Sequence, residues 1–274
     1  MAAFLDETWY RRDIQMSEQP DRGTRLSRIL GVWQIRVHHH YFDSVRRSCM
    51  RIVTVAVKPI MVLVFIYYMA VFMWLVGINQ TSSILFATAR AEGGYGFGQN
   101  AVGFLFFAPI TGIIAGEIFG HFFNDCIFRR SLHRHKGLFV PEYRLPTIYV
   151  GLILMVPGLV IIGEALRNHW LWVAIVFGWG MMAFGTMLCS VAITAYTLDN
   201  YPSASGEVSS LINFARLLGG FSVGYFQLDW GQKSGWDVSF GCQAAVVATA
   251  TLVIIPTLHI FGAKLRRCGG ELPY

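Results

Sequence analysis

The sequence predicts an all-α, polytopic membrane protein whose six transmembrane helices form one bundle. Three observations carry that prediction. Hydrophobic residues make up 54% of the chain and charged residues only 14%, with a mean hydropathy of +0.49, whereas soluble domains carry roughly 25% charged residues. Uncharged apolar runs recur along the 274 residues, several of them long enough to cross a hydrocarbon core of roughly 30 Å. The basic residues of this +6 chain gather beside those runs rather than in a phosphate-tracking stripe, so the expected partner is the lipid bilayer and not nucleic acid.

Residues 1–58 form a basic loop on the cytoplasmic side, with ten Lys/Arg against six acids. Its opening residues, MAAFLDETWYRRD, hold no continuous apolar stretch, so no cleavable signal peptide is expected. Leu26, Ile29, Leu30, Trp33 and Val37 recur on one helical stripe with Arg25, Arg28 and Arg36 off it. That pattern fits either an interfacial helix or a partly ordered loop. His38-His39-His40 has no carboxylate or cysteine at ligand spacing and reads as a solvated loop rather than a metal site.

A six-span membrane domain is expected over 59–263. Its first span, 59–82, begins at Pro59, where a missing N–H is tolerated. The second, 97–123, follows a glycine-rich turn that lacks the strand and spacing of a nucleotide loop, and Pro109 and Gly112 are its expected kink points. The third covers 145–163, the fourth 170–198, the fifth 206–228 and the sixth 238–263, leaving 264–274 as a cytoplasmic tail. Each expected outer loop holds a single basic residue, Arg90, Arg167 or Lys233, while the inner segments hold nearly all the rest. The positive-inside rule then places both termini in the cytoplasm. Cys49, Cys126, Cys189, Cys242 and Cys268 show no paired spacing and read as small apolar fillers.

Nothing in the chain suggests an enzyme or a bound cofactor: HExxH, GxSxG and paired-cysteine motifs are absent from the sequence, and no metal is expected. What stands out is Arg216, alone in the apolar, glycine-rich run SSLINFARLLGGFSVGYFQ. A charge at the centre of a bilayer helix costs about 2.5–3.5 kcal/mol on insertion scales and so normally faces protein or a wet cavity. Asn213, Asn79, Gln80, Trp74 and Thr186 join it as candidates for a solute cavity, since polar residues concentrate in the first, second, fourth and fifth spans and are nearly absent from the third. Small polar residues also serve as glue between helices, and that reading stands beside the first. Glu117 is either a snorkelling or paired carboxylate, or a proton or cation site.

Several blocks resemble a known family. FLDETWYRR at 4–12 is similar to the segment that opens the central loop of fungal major facilitator superfamily transporters of the drug:proton antiporter-1 type. VGINQTSSILFATA with YGFGQNAVGFLFFAPITGIIAG resembles their seventh and eighth helices, and LDNYPSASGEVSSLINFARLLGGFSVGYFQLDWGQKSGWDVSFGCQAA their eleventh helix and its surroundings. Asp125, Arg129 and Arg130 match a degenerate second copy of that family's G-x-x-x-D-x-x-x-R-R signature, with His121 in place of the glycine. This implies an inner-gate latch; an ordinary positive-inside loop is the other reading.

The resemblance implies helices seven to twelve of such a transporter, a bundle that pairs with an N-terminal half, or with a second copy of itself, around a midplane cavity and moves small organic or cationic solutes by alternating access. The expected membrane is the plasma membrane, with a vacuolar or other internal membrane as alternative. A truncated, non-transporting partner or regulator, or an inactive remnant, is the rival function.

Overall fold

The computed structural model describes Thr24 and residues 45–89, 94–134 and 140–270. The chain divides into two compact units, Met1–Arg51 and Ile52–Tyr274. Of the first, Thr24 and residues 45–51 are described; the stripe at 26–37, the His38–His40 run and the FLDETWYRR block lie outside the described residues. Among the described residues every regular element is helical, as expected of an all-α, polytopic membrane protein.

The helices are α1 (Val45–Ala56), α2 (Pro59–Ala87), α3 (Gln99–Leu105), α4 (Phe107–Arg134), α5 (Pro146–Arg167), α6 (Trp172–Asn200), α7 (Ser205–Ser234) and α8 (Trp236–Gly269). Short 3-10 turns at Pro141–Arg144 and Pro202–Ala204 precede α5 and α7. Five stretches are long and apolar enough to cross a membrane: Pro59–Ser82, Gln99–Arg134, Pro141–Arg167, Trp172–Asn200 and Trp236–Gly269. The remaining long helix, α7, has 30 residues and is less apolar, because Glu207, Asn213, Arg216, Gln227, Asp229 and Lys233 fall along it. It is nonetheless packed into the bundle against α2.

Local chemistry explains the breaks. Pro59 opens α2 behind an extended Lys58, and the Lys58 ammonium reaches across to the Gly269 and Gly270 carbonyl oxygens at the end of α8. A cation there neutralises the negative end of that helix. The stretch 99–134 is interrupted at Phe106, whose N–H bonds back to Gly103 rather than one residue further. Pro109 lies just beyond; its ring crowds the Leu105 carbonyl, so the kink falls in the turn before the proline. Gly235, at φ 90°, makes the tight turn from α7 into α8, a conformation that would strain a residue with a Cβ.

Helix α6 is the centre of the bundle and packs against α4, α5 and α2, with Trp179, Ile193 and Tyr196 fully buried. The α4 seam is made by Gly112, Gly116 and Gly120, whose absent side chains admit the backbone of Gly180 and Phe184 and the side chain of Leu188. The matched residue numbers rise together, so α4 and α6 run parallel. The α2–α7 seam has the same construction: Gly219 sits on the Met69 carbonyl, Gly220 on Val76 and Gly224 on Gln80, again in parallel. Small residues at helix seams are the usual device where lipid removes the hydrophobic drive for association.

Candidate solute-binding wall

The packing order α4, α6, α2, α7 lays out four helices side by side, with α5 and α8 behind them. These are the second, fourth, first and fifth spans, the ones richest in polar residues. The central pair is joined by a hydrogen bond between the Tyr68 hydroxyl on α2 and Ser190 Oγ on α6 at 2.7 Å. Tyr68 stacks on Phe72, with ring centroids 5.1 Å apart and planes 7° from parallel.

Arg216 lies near the middle of α7 and is half-buried. Its Nη2 donates to Asn213 Oδ1 at 2.8 Å, and its guanidinium carbon stands 5.4 Å from the centroid of the Phe72 ring. Among the described residues no carboxylate pairs with it. The guanidinium has five N–H donors, of which Asn213 engages one among the described residues. Glu117 stands on α4 at the opposite flank, exposed, beside the glycine seam, and among the described residues it makes neither a hydrogen bond nor an ion pair. Both charges lie within electrostatic reach of the Tyr68 hydroxyl.

The other expected cavity residues fall elsewhere. Trp74 is buried in the α2–α7 seam, edge-on to Phe226 at 6.3 Å and against Trp230 at 6.5 Å, and among the described residues its Nε1 has no partner. Gln80 is exposed and lies over Gly224 in the same seam. Asn79 turns its amide back onto the Leu75 carbonyl oxygen at 2.7 Å. Thr186 is fully buried, donating to the Met182 carbonyl at 2.8 Å with Met155 Sδ of α5 at 3.3 Å, so it belongs to the α5–α6 seam and not to the wall that holds Arg216. Arg216 and Asn213 are therefore brought together, while Trp74, Gln80, Asn79 and Thr186 are not added to them. A cavity of about 330 Å³ opens near the turn from α7 into α8, between Leu85, Thr88, Gly231, Gln232 and Trp236, away from both charges.

At the opposite end of the bundle, Asp125 is not latched to the arginines that follow it. It accepts from Arg144 Nη1 at 3.2 Å, and Arg129 and Arg130 are exposed. Arg144 also donates from Nε to Asp199 Oδ2 at 2.6 Å and lies 4.4 Å over the Phe128 ring. A second pair adjoins it: Arg266 Nη2 donates to Glu142 Oε2 at 3.1 Å, and Nη1 to Asn200 Oδ1 at 2.7 Å. Glu142 is 5% exposed and fits only because Gly262 has no Cβ, which would stand 2.4 Å from Oε1. Sequence reasoning missed Arg144, Asp199, Glu142 and Arg266. Their signal is the presence of three acids, Asp125, Glu142 and Asp199, at span ends on a side otherwise dominated by bases. Among the described residues no cluster of His, Cys, Asp and Glu could hold a metal ion.

With this geometry in place, the comparisons with known proteins can be read. The family model of the Major Facilitator Superfamily matches residues 7–224. The efflux pump radE of Floropilus chiversii is 24% identical over 212 residues, covering 76% of this chain and 38% of the relative. The efflux pump vrtL of Penicillium aethiopicum is 29% identical over 147 residues, covering 52% and 28%. An uncharacterized transporter of Schizosaccharomyces pombe is 26% identical over 164 residues, covering 60% and 33%. The chain thus spans about a third of the length of these relatives. No solved structure matches it. A family match over most of the chain, together with these relatives and the helical bundle, means that the chain belongs to the major facilitator superfamily.

Proposed function

We propose that this chain forms one wall of a transporter that moves small organic solutes by alternating access, the facing wall being a homologous six-helix bundle or a second copy of the chain. One observation supports it above the others: the Arg216 guanidinium, near the middle of a helix in a membrane bundle, is half-buried and has no carboxylate partner among the described residues. A charge so placed is costly unless a wet cavity or a ligand meets it. The relatives named as efflux pumps make outward movement the expected direction, with the termini cytoplasmic and the plasma membrane as location.

The rival reading is a membrane protein that binds a partner and moves nothing by itself. Expression in yeast cells depleted of their own efflux pumps separates the two. Cells carrying the chain are expected to accumulate less fluorescent dye than cells without it, and Arg216→Leu at equal abundance is expected to abolish the difference. Equal accumulation with and without the chain overturns transport by this chain and favours the partner reading.

A further inference from the structure

Glu117 and Arg216 stand on opposite flanks of the layer, on α4 and α7, with α6 and α2 between them. Among the described residues neither pairs with the other or with any further charge. The contacts that tie the layer together set their depths. Gly116, the residue before Glu117, lies against Phe184 and Met187 of α6, while the Arg216 guanidinium lies 5.4 Å from the Phe72 ring of α2. Helices α2 and α6 run antiparallel, with Tyr68 bonded to Ser190 and Phe86 beside Trp179. Phe72 and Met187 are therefore each about one turn, roughly 5 Å, from the Tyr68–Ser190 contact, and in the same direction. The two charges lie at matching depth.

A layer with an acid on one flank and a base on the other, at one depth, is complementary to itself. A two-fold axis running along the helices in front of it exchanges the flanks without changing depth, so α4 of one copy faces α7 of the other, an isologous contact. We infer that a second copy of the chain covers this layer about such an axis, Glu117 of each copy pairing with Arg216 of the other. The inference rests on the reading that a second bundle faces the layer, and it names which bundle. The surface around both charges is apolar: Ile110, Ile114 and Ile118 on α4 and Phe214, Leu217 and Phe221 on α7 are exposed. Lipid covers such side chains at no cost but leaves the two charges unpaired. A second copy meets both.

Charge exchange tests the pairing. Full chains carrying a donor or an acceptor fluorophore on a C-terminal tag are reconstituted at high dilution in liposomes, and energy transfer between them reports association. The parent is expected to associate. Glu117→Arg alone and Arg216→Glu alone each set like charges against each other at both contacts, and each is expected to associate at least about tenfold more weakly. A donor-labelled Glu117→Arg chain mixed with an acceptor-labelled Arg216→Glu chain restores opposite charges at both contacts, and transfer is expected to return to the parent level. Misfolding of either variant cannot produce that recovery, and neither can pairing within one chain. No transfer in the parent would leave lipid as the cover and overturn the inference. Undiminished transfer in both single variants, or no recovery in the mixture, would overturn it too. Association without dye efflux sinks transport and leaves the paired copies standing, whereas dye efflux by chains that show no transfer does the reverse.

Discussion

Arg144 donates from Nε to Asp199 Oδ2 at 2.6 Å, tying the turn before α5 to the last turn of α6. The side chains are 15% and 22% exposed, so water shields the pair only weakly. Truncating one partner leaves the other charge without its bond. Arg144→Gln is therefore expected to lower stability by about 1.5–3 kcal/mol. Arg129→Gln and Arg130→Gln, on exposed side chains, are expected to stay within about 0.5 kcal/mol of the parent. Thermal melting of the detergent-solubilised chain checks this, and an equal loss on changing Arg129 would restore the latch expected from the G-x-x-x-D-x-x-x-R-R resemblance.

Two glycines predict opposite outcomes for the same substitution. A Cβ at Gly158 would stand 2.8 Å from both the Gly178 carbonyl oxygen and the Met182 nitrogen, backbone atoms of α6 that can yield only if the helices part. Gly158→Ala is expected to cost about 1–3 kcal/mol, the usual range for overpacking. At Gly241, in α8, nothing among the described residues lies within 4 Å of such an atom. There alanine restricts the unfolded chain without a clash, so Gly241→Ala is expected to gain about 0.5–1 kcal/mol. Melting temperatures that move in the same direction for both would contradict the seam.

The helices were legible because a bilayer demands long uncharged runs, and Arg216 was legible because it interrupts one. Its distance from a carboxylate partner was not, since pairing depends on which helix faces which. The same ignorance misplaced Thr186. It lies one turn from Ser190 on α6 and shares its polarity, yet α6 is packed on several sides, so a small rotation moves a side chain from the α2 contact to the α5 seam. The ion pairs of Arg144 and Arg266 were hidden for a related reason: Arg144 and Asp199 are 55 residues apart, and each alone looks like a loop charge.

Arg216 also distinguishes geometry from charge. Its guanidinium plane reaches Asn213 at 2.8 Å while lying 5.4 Å from the Phe72 centroid. An ammonium keeps the charge but is a compact point donor and cannot present parallel donors to a carboxylate. Arg216→Lys is expected to fold as the parent does yet restore less than about a tenth of the dye efflux that Arg216→Leu abolishes, the loss of one charge-assisted bond. Full efflux in the lysine variant would reduce the residue to a simple positive charge.

Tyr201 gives a pH dependence whose sign can be worked out. It follows the last residue of α6, is 7% exposed, and among the described residues its hydroxyl has no hydrogen-bond partner. Burial pushes its pKa from 10.0 up to about 12, against a smaller pull in the other direction from Arg266. The folded chain thus holds this proton more tightly than the unfolded chain does. The resulting stability is fully present below the unfolded value and is lost as pH rises through the folded one. A shift of that size corresponds to roughly 2–3 kcal/mol between the two limits. Tyr201→Phe removes a hydroxyl that gains no bond, so near pH 7 the variant is expected to melt within a few degrees of the parent. Between pH 10 and 12 the two curves are expected to diverge, the parent falling faster because only it must keep the phenol at position 201 neutral. Alkaline melting curves that stay parallel would show that Tyr201 ionises in the folded chain as easily as in the unfolded one.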